Sequence, residues 1–271
     1  MTVSFKGKWG LTPGVNPEES TYFNFCKLSA EDESVFENFR RDRMYNQIVG
    51  CDSHDPKTAI MFLHYVRDTY PHLIDYFDLF VDNEIYGTPY KHTTVAAGGK
   101  TWTFSNNTAR HIKVLGDLIK EFGSLDKLNI VEIGPGYGTQ AKLISCLYKW
   151  KSYSFIDNKY PIKLLKKYLS KFKDIHNTFF YSTENIKVKN YDLVIADSSL
   201  SELDDVGFDF YMKHVLSKSK NCYCTMNDVY RKTETIKKFE RVFDKIQIIP
   251  DRPAMNPNNA CYIIIGKNDA A

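Results

Sequence analysis

From residue 128 onward the chain alternates short apolar runs with segments of helical periodicity, and that alternation leaves few folds open. Residues 128–133, 153–157, 178–181, 191–196 and 221–226 are apolar runs of strand length. The segments between them carry apolar residues three and four apart. In 140–150 these are Leu143, Ile144 and Leu147; behind Pro161 they are Ile162, Leu165 and Leu169. Residues 206–216 form another such segment, and Ile236, Phe239, Val242 and Phe243 mark one more. A further helix is expected from about Ala109, with Ile112, Leu115, Ile119 and Phe122 on one face and Gly123 as its stop. Parallel strands need crossover connections, usually helices, so this order predicts an α/β, doubly wound sheet. Residues 246–249 and 261–265 are joined by a Pro-rich loop with no helix, so one strand at the end must run antiparallel.

The first hundred residues follow another pattern. Residues 34–48 and 58–70 read as helices, and 82–99, with Gly87, Pro89, Gly98 and Gly99, reads as loop. The expectation is a mainly helical N-terminal cap over residues 1–109, lying across the mouth of a Rossmann-like domain over 110–271. The balance of 36 basic against 33 acidic residues, net +3, is too even to point to nucleic acid. Lys166, Lys167, Lys171 and Lys173 read as the solvated face of one helix. The six cysteines show no zinc-ligand spacing, and scattered thiols suit a reducing compartment. No apolar run approaches the roughly 18–20 residues of a membrane span, and residues 1–6 lack signal-peptide architecture. The expected location is cytoplasmic, and the sequence sets no oligomeric state.

The candidate site is the run Val131-Glu132-Ile133-Gly134-Pro135-Gly136-Tyr137-Gly138-Thr139, between the first strand and its helix. Gly134, Gly136 and Gly138 let the backbone turn tightly and approach a ligand, and the helix start behind them offers free N–H groups. A dinucleotide fingerprint would place its third Gly at 139, where this chain has Thr. Glu132 is awkward beside a pyrophosphate but suits a ligand with an ammonium group. Together these favour S-adenosyl-L-methionine over a nicotinamide dinucleotide. Asp157, ending the second strand, is placed to accept hydrogen bonds from ribose hydroxyls. Thr183 and Asn185, after the third strand, and Asp197 and Ser198, after the fourth, should complete the cofactor pocket, because open α/β sheets bind at their carboxyl edge. Tyr137 and Arg110 are further lining candidates, Arg110 for a carboxylate or phosphate.

Several segments resemble the sugar O-methyltransferases of bacterial surface-polysaccharide gene clusters. Residues 192–203, ending in Ser201-Glu202-Leu203, are similar to that family's fourth-strand segment. Residues 82–89 resemble its upstream Gly-x-Pro segment, and Met226-Asn227-Asp228 with the 253–259 loop resemble its C-terminal features. Asp197 departs from the Ser or Asn expected there. The resemblance implies a class I methyltransferase sheet, mostly parallel with an antiparallel last strand. It also implies a sugar, or a group on a sugar, as acceptor, in capsule or other surface-polysaccharide synthesis. The acceptor would be small or glycan-bound, and nucleotide activation is compatible with it.

Methyl transfer to oxygen is an in-line displacement that needs the acceptor aligned and its proton removed. Glu202, on the methyl side of the fourth strand, is the expected base; its rival reading is a helix-capping acid. His92 in the cap and Asp197 are the other catalytic candidates. A divalent metal is not expected; its oxygen ligands would be Asp197, Asn227 and Asp228. The competing functions are a nicotinamide oxidoreductase and methyl transfer to a small molecule other than a sugar.

Overall fold

The computed structural model describes residues 2–3, 20–43, 45, 56–90, 93–227, 231–253 and 261–269. The chain begins with β1 (Thr2–Val3), α1 (Thr21–Glu31), α2 (Glu33–Phe36), α3 (Pro56–Thr69) and α4 (Phe77–Phe80). A hairpin of β2 (Thr93–Ala97) and β3 (Lys100–Phe104) leads into α5 (Asn106–Phe122). Then come β4 (Asn129–Ile133), α6 (Thr139–Ser145), β5 (Ser152–Asp157), α7 (Lys159–Leu169), β6 (Thr178–Ser182), β7 (Ile186–Lys187) and β8 (Tyr191–Asp197). The chain continues through α8 (Asp205–His214), β9 (Ser219–Met226), α9 (Lys232–Glu240), β10 (Lys245–Pro250) and β11 (Tyr262–Lys267).

Seven strands form one sheet in the order β10-β11-β9-β8-β4-β5-β6. β6, β5, β4, β8 and β9 run parallel. β11 inserts antiparallel between β9 and β10, as the helix-free final connection required. The fold is therefore the expected Rossmann-like one, and the strand order reverses at β4. That reversal opens a crevice at the carboxyl ends of β4 and β8, the usual ligand position of such sheets.

Alternation along β4 decides which layer each side chain meets. Val131 and Ile133 join an apolar cluster with α8 and α9, including Phe208, Tyr211 and Phe239. Ile130 joins the opposite cluster, which includes Phe62 and Leu63 of α3, Phe77 and Phe80 of α4, and Leu115 and Leu118 of α5. The cap and one sheet face thus share a continuous core, and each fully buried large apolar side chain there contributes roughly 1.5–3 kcal/mol.

The N-terminal region differs from its sequence reading in two places. The helix expected over 34–48 stops at Phe36, and Phe39–Arg41 form a single 3-10 turn. There Phe39 and Arg40 are both fully buried, and the Arg40 N–H bonds the Gly87 carbonyl at 3.1 Å. The loop expected over 82–99 contains β2, paired with β3 through Gly98 and Gly99 at φ 57 and 78. Two left-handed residues suit a tight hairpin turn, and Gly adopts them without a Cβ clash. The Thr-rich strands lack the apolar alternation that would have revealed them. Two helices also differ in their bounds. α5 starts at Asn106, ahead of Ala109, because Ser105 caps it by accepting the Thr108 N–H at 3.3 Å. α6 ends at Ser145, short of the expected 150. Among the described residues no helix is long and apolar enough to cross a membrane.

α5 lies against the cap through Gly116, where a Cβ would run into the Tyr70 ring. Gly116→Ala should destabilise the protein by about 1–3 kcal/mol through overpacking, despite the better helix propensity of Ala. Urea denaturation of the two proteins would measure this.

Candidate functional site at the carboxyl edge of the sheet

The turn leaving β4 holds Gly134, Gly136 and Gly138 at φ 66, 56 and 99. The Gly134 N–H bonds the Ile156 carbonyl at 2.9 Å, which ties the turn to β5. A Cβ at Gly134 would strike the Ser199 side chain, whose hydroxyl donates to the Ile133 carbonyl at 2.5 Å. Gly136 is different. The nearest atom to its missing Cβ is the Tyr45 hydroxyl, 4.0 Å away. Gly134 is thus required by packing, whereas among the described residues no atom lies closer than 4.0 Å to a Cβ at Gly136. Behind the turn, Thr139 and Gln140 are both 1% exposed, and their side-chain polar atoms have no hydrogen-bond partner among the described residues.

Four carboxylates converge on this edge. Glu132 is 3% exposed and accepts a 2.7 Å hydrogen bond from the Tyr153 hydroxyl of the neighbouring strand. Burial pushes its pKa up to about 8, opposed by the Tyr153 bond and reinforced by the charges of Asp197 and Asp157. Asp157 ends β5 as expected and accepts the Asn158 N–H at 2.6 Å. Burial raises it to about 7 despite that bond, with Glu202 adding to the rise. Glu202 follows β8 in a single 3-10 turn, and burial with the nearby Asp197 charge raises it to about 7. Asp197 ends β8 and behaves oppositely. Burial alone would raise its pKa, but Arg110 outweighs this and holds it far below the carboxylate range.

Arg110 donates to both Asp197 oxygens, at 3.0 Å from Nε and 2.5 Å from Nη2. Its Nη1 reaches Asp251 at 3.2 Å, so all three guanidinium nitrogens meet protein carboxylates. The chain of charges continues inward. Lys113 Nζ contacts Asp251 at 2.7 Å and Asp117 at 2.8 Å. Asp117 accepts from Tyr70 of the cap at 2.5 Å and from Tyr223 of β9 at 2.6 Å. Burial pulls the Lys113 pKa down, but Asp117 and Asp251 outweigh it and keep the amine protonated. Arg110, expected as a possible acceptor-holding group, is therefore internal machinery. Asp197 is a poor proton acceptor for the same reason.

The other sequence candidates fall around this centre. Tyr137 is buried, donates to the Asn107 side chain at 3.0 Å, and lies under the Arg40 guanidinium, 4.8 Å from its ring centroid. Arg40 is itself held by the Asn83 carbonyl at 2.6 Å and the Ser105 hydroxyl at 2.8 Å. Ser198 has φ 61 at the turn after β8 and donates its N–H to the Thr225 carbonyl at 3.0 Å. That conformation is uncommon for a residue with a side chain and typifies functional turns. The buried Thr183 donates its N–H to the Asp157 carbonyl at 3.0 Å, while Asn185 is exposed at the rim. Asn227 is exposed after β9. His92 and Asp228 lie outside the described residues. Among the described residues no cluster of three metal-type ligands occurs, and Arg110 already engages both oxygens of Asp197. Sequence reasoning missed Tyr153, Asn107, His111, Arg40 and Asp251. A polar residue within an apolar run or a capping stretch was the available signal for the first three.

No family model matches the sequence, and no curated protein matches it. Solved structures do resemble the fold over about 60% of the chain. One is the N-methyltransferase NodS from Bradyrhizobium japonicum WM9 with S-adenosyl-L-homocysteine, at 13% identity and TM-score 0.49, covering 60% of this chain and 88% of that one. Another is precorrin-6y C5,15-methyltransferase from Geobacter metallireducens GS-15, at 14% identity and TM-score 0.42, covering 58% and 89%. A third is the methyltransferase domain of bacterial CtHen1, at 10% identity and TM-score 0.45, covering 58% and 97%.

The raised carboxyl groups set a pH dependence. The Glu132 pKa of about 8 in the folded state exceeds its unfolded value, so its contribution to stability is complete below about 4.3 and is lost as pH rises through 8. The ligand-free protein should therefore lose several kcal/mol of stability between about pH 5 and 8. Glu132→Gln, which stays neutral, should flatten part of that slope in urea titrations at each pH.

Proposed function

We propose that this protein is an S-adenosyl-L-methionine-dependent methyltransferase that acts on a sugar hydroxyl, or a group carried on a sugar, in surface-polysaccharide synthesis. The observation that carries the cofactor reading is the set of three buried carboxylates with raised pKa, Glu132, Asp157 and Glu202, which form no ion pair among the described residues, beside Asp197 and the glycine turn. Groups whose pKa is raised by burial and by each other are stabilised by an arriving cation. S-adenosyl-L-methionine supplies a sulfonium methyl and carries an ammonium; a dinucleotide pyrophosphate would add negative charge to the same place. Glu132 and Asp157 are assigned to the cofactor's amino-acid and ribose parts, with Gly134, Gly136, Tyr137 and Gly138 forming the turn beneath it. Thr183, Asn185 and Ser198 border the cofactor pocket in this reading. The sugar acceptor rests on the resemblance of the 192–203 segment; a small-molecule acceptor of another class is the alternative.

Proton removal is assigned to Glu202. Its pKa of about 7 leaves it substantially ionised at neutral pH, yet basic enough to take a proton as the hydroxyl attacks. Asp197 is too acidic for that part and serves as a fixed negative charge at the methyl side.

Calorimetry with S-adenosyl-L-methionine, S-adenosyl-L-homocysteine and NAD tests the cofactor. The first two should bind and NAD should not; the reverse order would sink the assignment. Affinity for S-adenosyl-L-methionine should strengthen by more than roughly tenfold between pH 6 and 8, as Glu132 and Asp157 ionise, and level off above about pH 9. Release of S-adenosyl-L-homocysteine on a panel of nucleotide sugars and surface glycans tests the acceptor class. With the acceptor found there, Glu202→Gln should lower kcat by about 10²–10⁴-fold. Unchanged turnover would remove Glu202 from proton transfer.

A further inference from the structure

We propose that His111 is the acceptor-binding residue of this site: a neutral imidazole that offers its Nε2 lone pair to a hydroxyl of the incoming acceptor. The inference rests on the methyltransferase reading above and adds a residue and a chemical preference to it. Three side chains near the start of α5 share one face. Asn107 accepts from Tyr137 of the glycine turn, Arg110 grips Asp197 at the end of β8, and His111 follows one turn after Asn107. That face meets the carboxyl end of β8 through Arg110 and Asp197, and His111 is only partly buried on it.

The imidazole has a defined tautomer. Nδ1 lies 2.9 Å from the Asn107 carbonyl, which can only accept, so Nδ1 carries the hydrogen. Nε2 is left with its lone pair and makes no hydrogen bond among the described residues. The groups that face the ring are Asp197, Arg110 and Arg40. Burial lowers the pKa of His111, with Arg110 and Arg40 adding to the fall and Asp197 opposing it. The ring is therefore neutral near pH 7, a hydrogen-bond acceptor rather than a cation.

This sets what the acceptor can present. Arg110 is committed to two carboxylates, so it does not serve as a clamp for an anionic group at this point. A lone pair instead selects a hydroxyl or other donor, as on the ring of a sugar. His111 binds from α5, and Glu202 removes the proton from the turn after β8.

Long-range proton–nitrogen spectra of the labelled protein test this without knowledge of the acceptor, with His111 assigned through His111→Gln. The expected result is an Nδ1-protonated tautomer titrating below the ordinary histidine range. S-adenosyl-L-methionine should depress that titration further than S-adenosyl-L-homocysteine, by about two pH units, because only the former carries a sulfonium, about 6 Å away at an effective dielectric of about 20. His111→Ala should bind both within about threefold of the parent. An Nε2-protonated ring, equal titration with the two ligands, or lost cofactor affinity in His111→Ala would overturn the proposal. If the parent binds neither ligand, the cofactor reading fails and this inference fails with it.

Discussion

Glu132 lies on β4, between the parallel strands β5 and β8, beside Phe155 and Ile195, and is only 3% exposed. A carboxylate there is costly to ionise unless something compensates it. The Tyr153 hydroxyl donates one hydrogen bond, yet the pKa still rises to about 8. The protein therefore keeps a buried acid that is mostly protonated until a cation arrives. Residues around it follow from that condition. The turn at Gly136 carries no side chain, and the Tyr45 hydroxyl is the nearest described atom to the place its Cβ would occupy. Replacing Glu132 with Val would make an ordinary strand and remove the reason for the pocket.

The same crevice contains a carboxylate with the opposite behaviour, and the difference lies in its partner. Asp197 is fixed by a bidentate guanidinium, whereas Glu132, Asp157 and Glu202 form no ion pair among the described residues. Arg110 in turn is buried and must itself be neutralised, which brings in Asp251. Asp251 then demands Lys113, and Lys113 demands Asp117. Such a chain tolerates little trimming, because removing one member leaves a buried charge uncompensated, at about 3–5 kcal/mol. Its inner end accepts from Tyr70 of the cap and Tyr223 of the sheet, so the cap is joined to the sheet by polar bonds as well as by apolar packing.

The sheet was legible because its signals are local. Strand-length apolar runs, the Pro161 helix start and the Glu132–Gly138 turn each announce themselves within ten residues, and the helix-free connection to 261–265 gave the antiparallel strand. The cap was less legible because its determinants are distant in sequence. The helix expected over 34–48 fails at Phe36 because Phe39 and Arg40 must enter a core built by residues far along the chain. Arg40 answers to Asn83 and Ser105, 43 and 65 residues away. The Thr-rich hairpin gave no alternation to read. In the site, Glu132, Asp157, Asp197 and Glu202 were all visible as acids at strand ends, but their different protonation was not. It depends on Arg110 approaching Asp197 across 87 residues of chain.

Asp197 illustrates how a departure from a familiar pattern can be explained by its surroundings. Ser or Asn at that position would leave Arg110 with one carboxylate, Asp251, and an uncompensated share of positive charge beside a site proposed to receive a sulfonium. Asp cancels that charge at its source. The substitution thus makes chemical sense only together with Arg110, and the two residues act as one unit. Burial is the largest influence on the pKa of the neighbouring His111 and lowers it, with Asp197 opposing the fall and Arg110 and Arg40 adding to it. Under the proposed assignment the imidazole stays uncharged, and the carboxyl edge combines one fixed ion pair, Arg110 with Asp197, one titrating acid, Glu202, and one neutral base, His111.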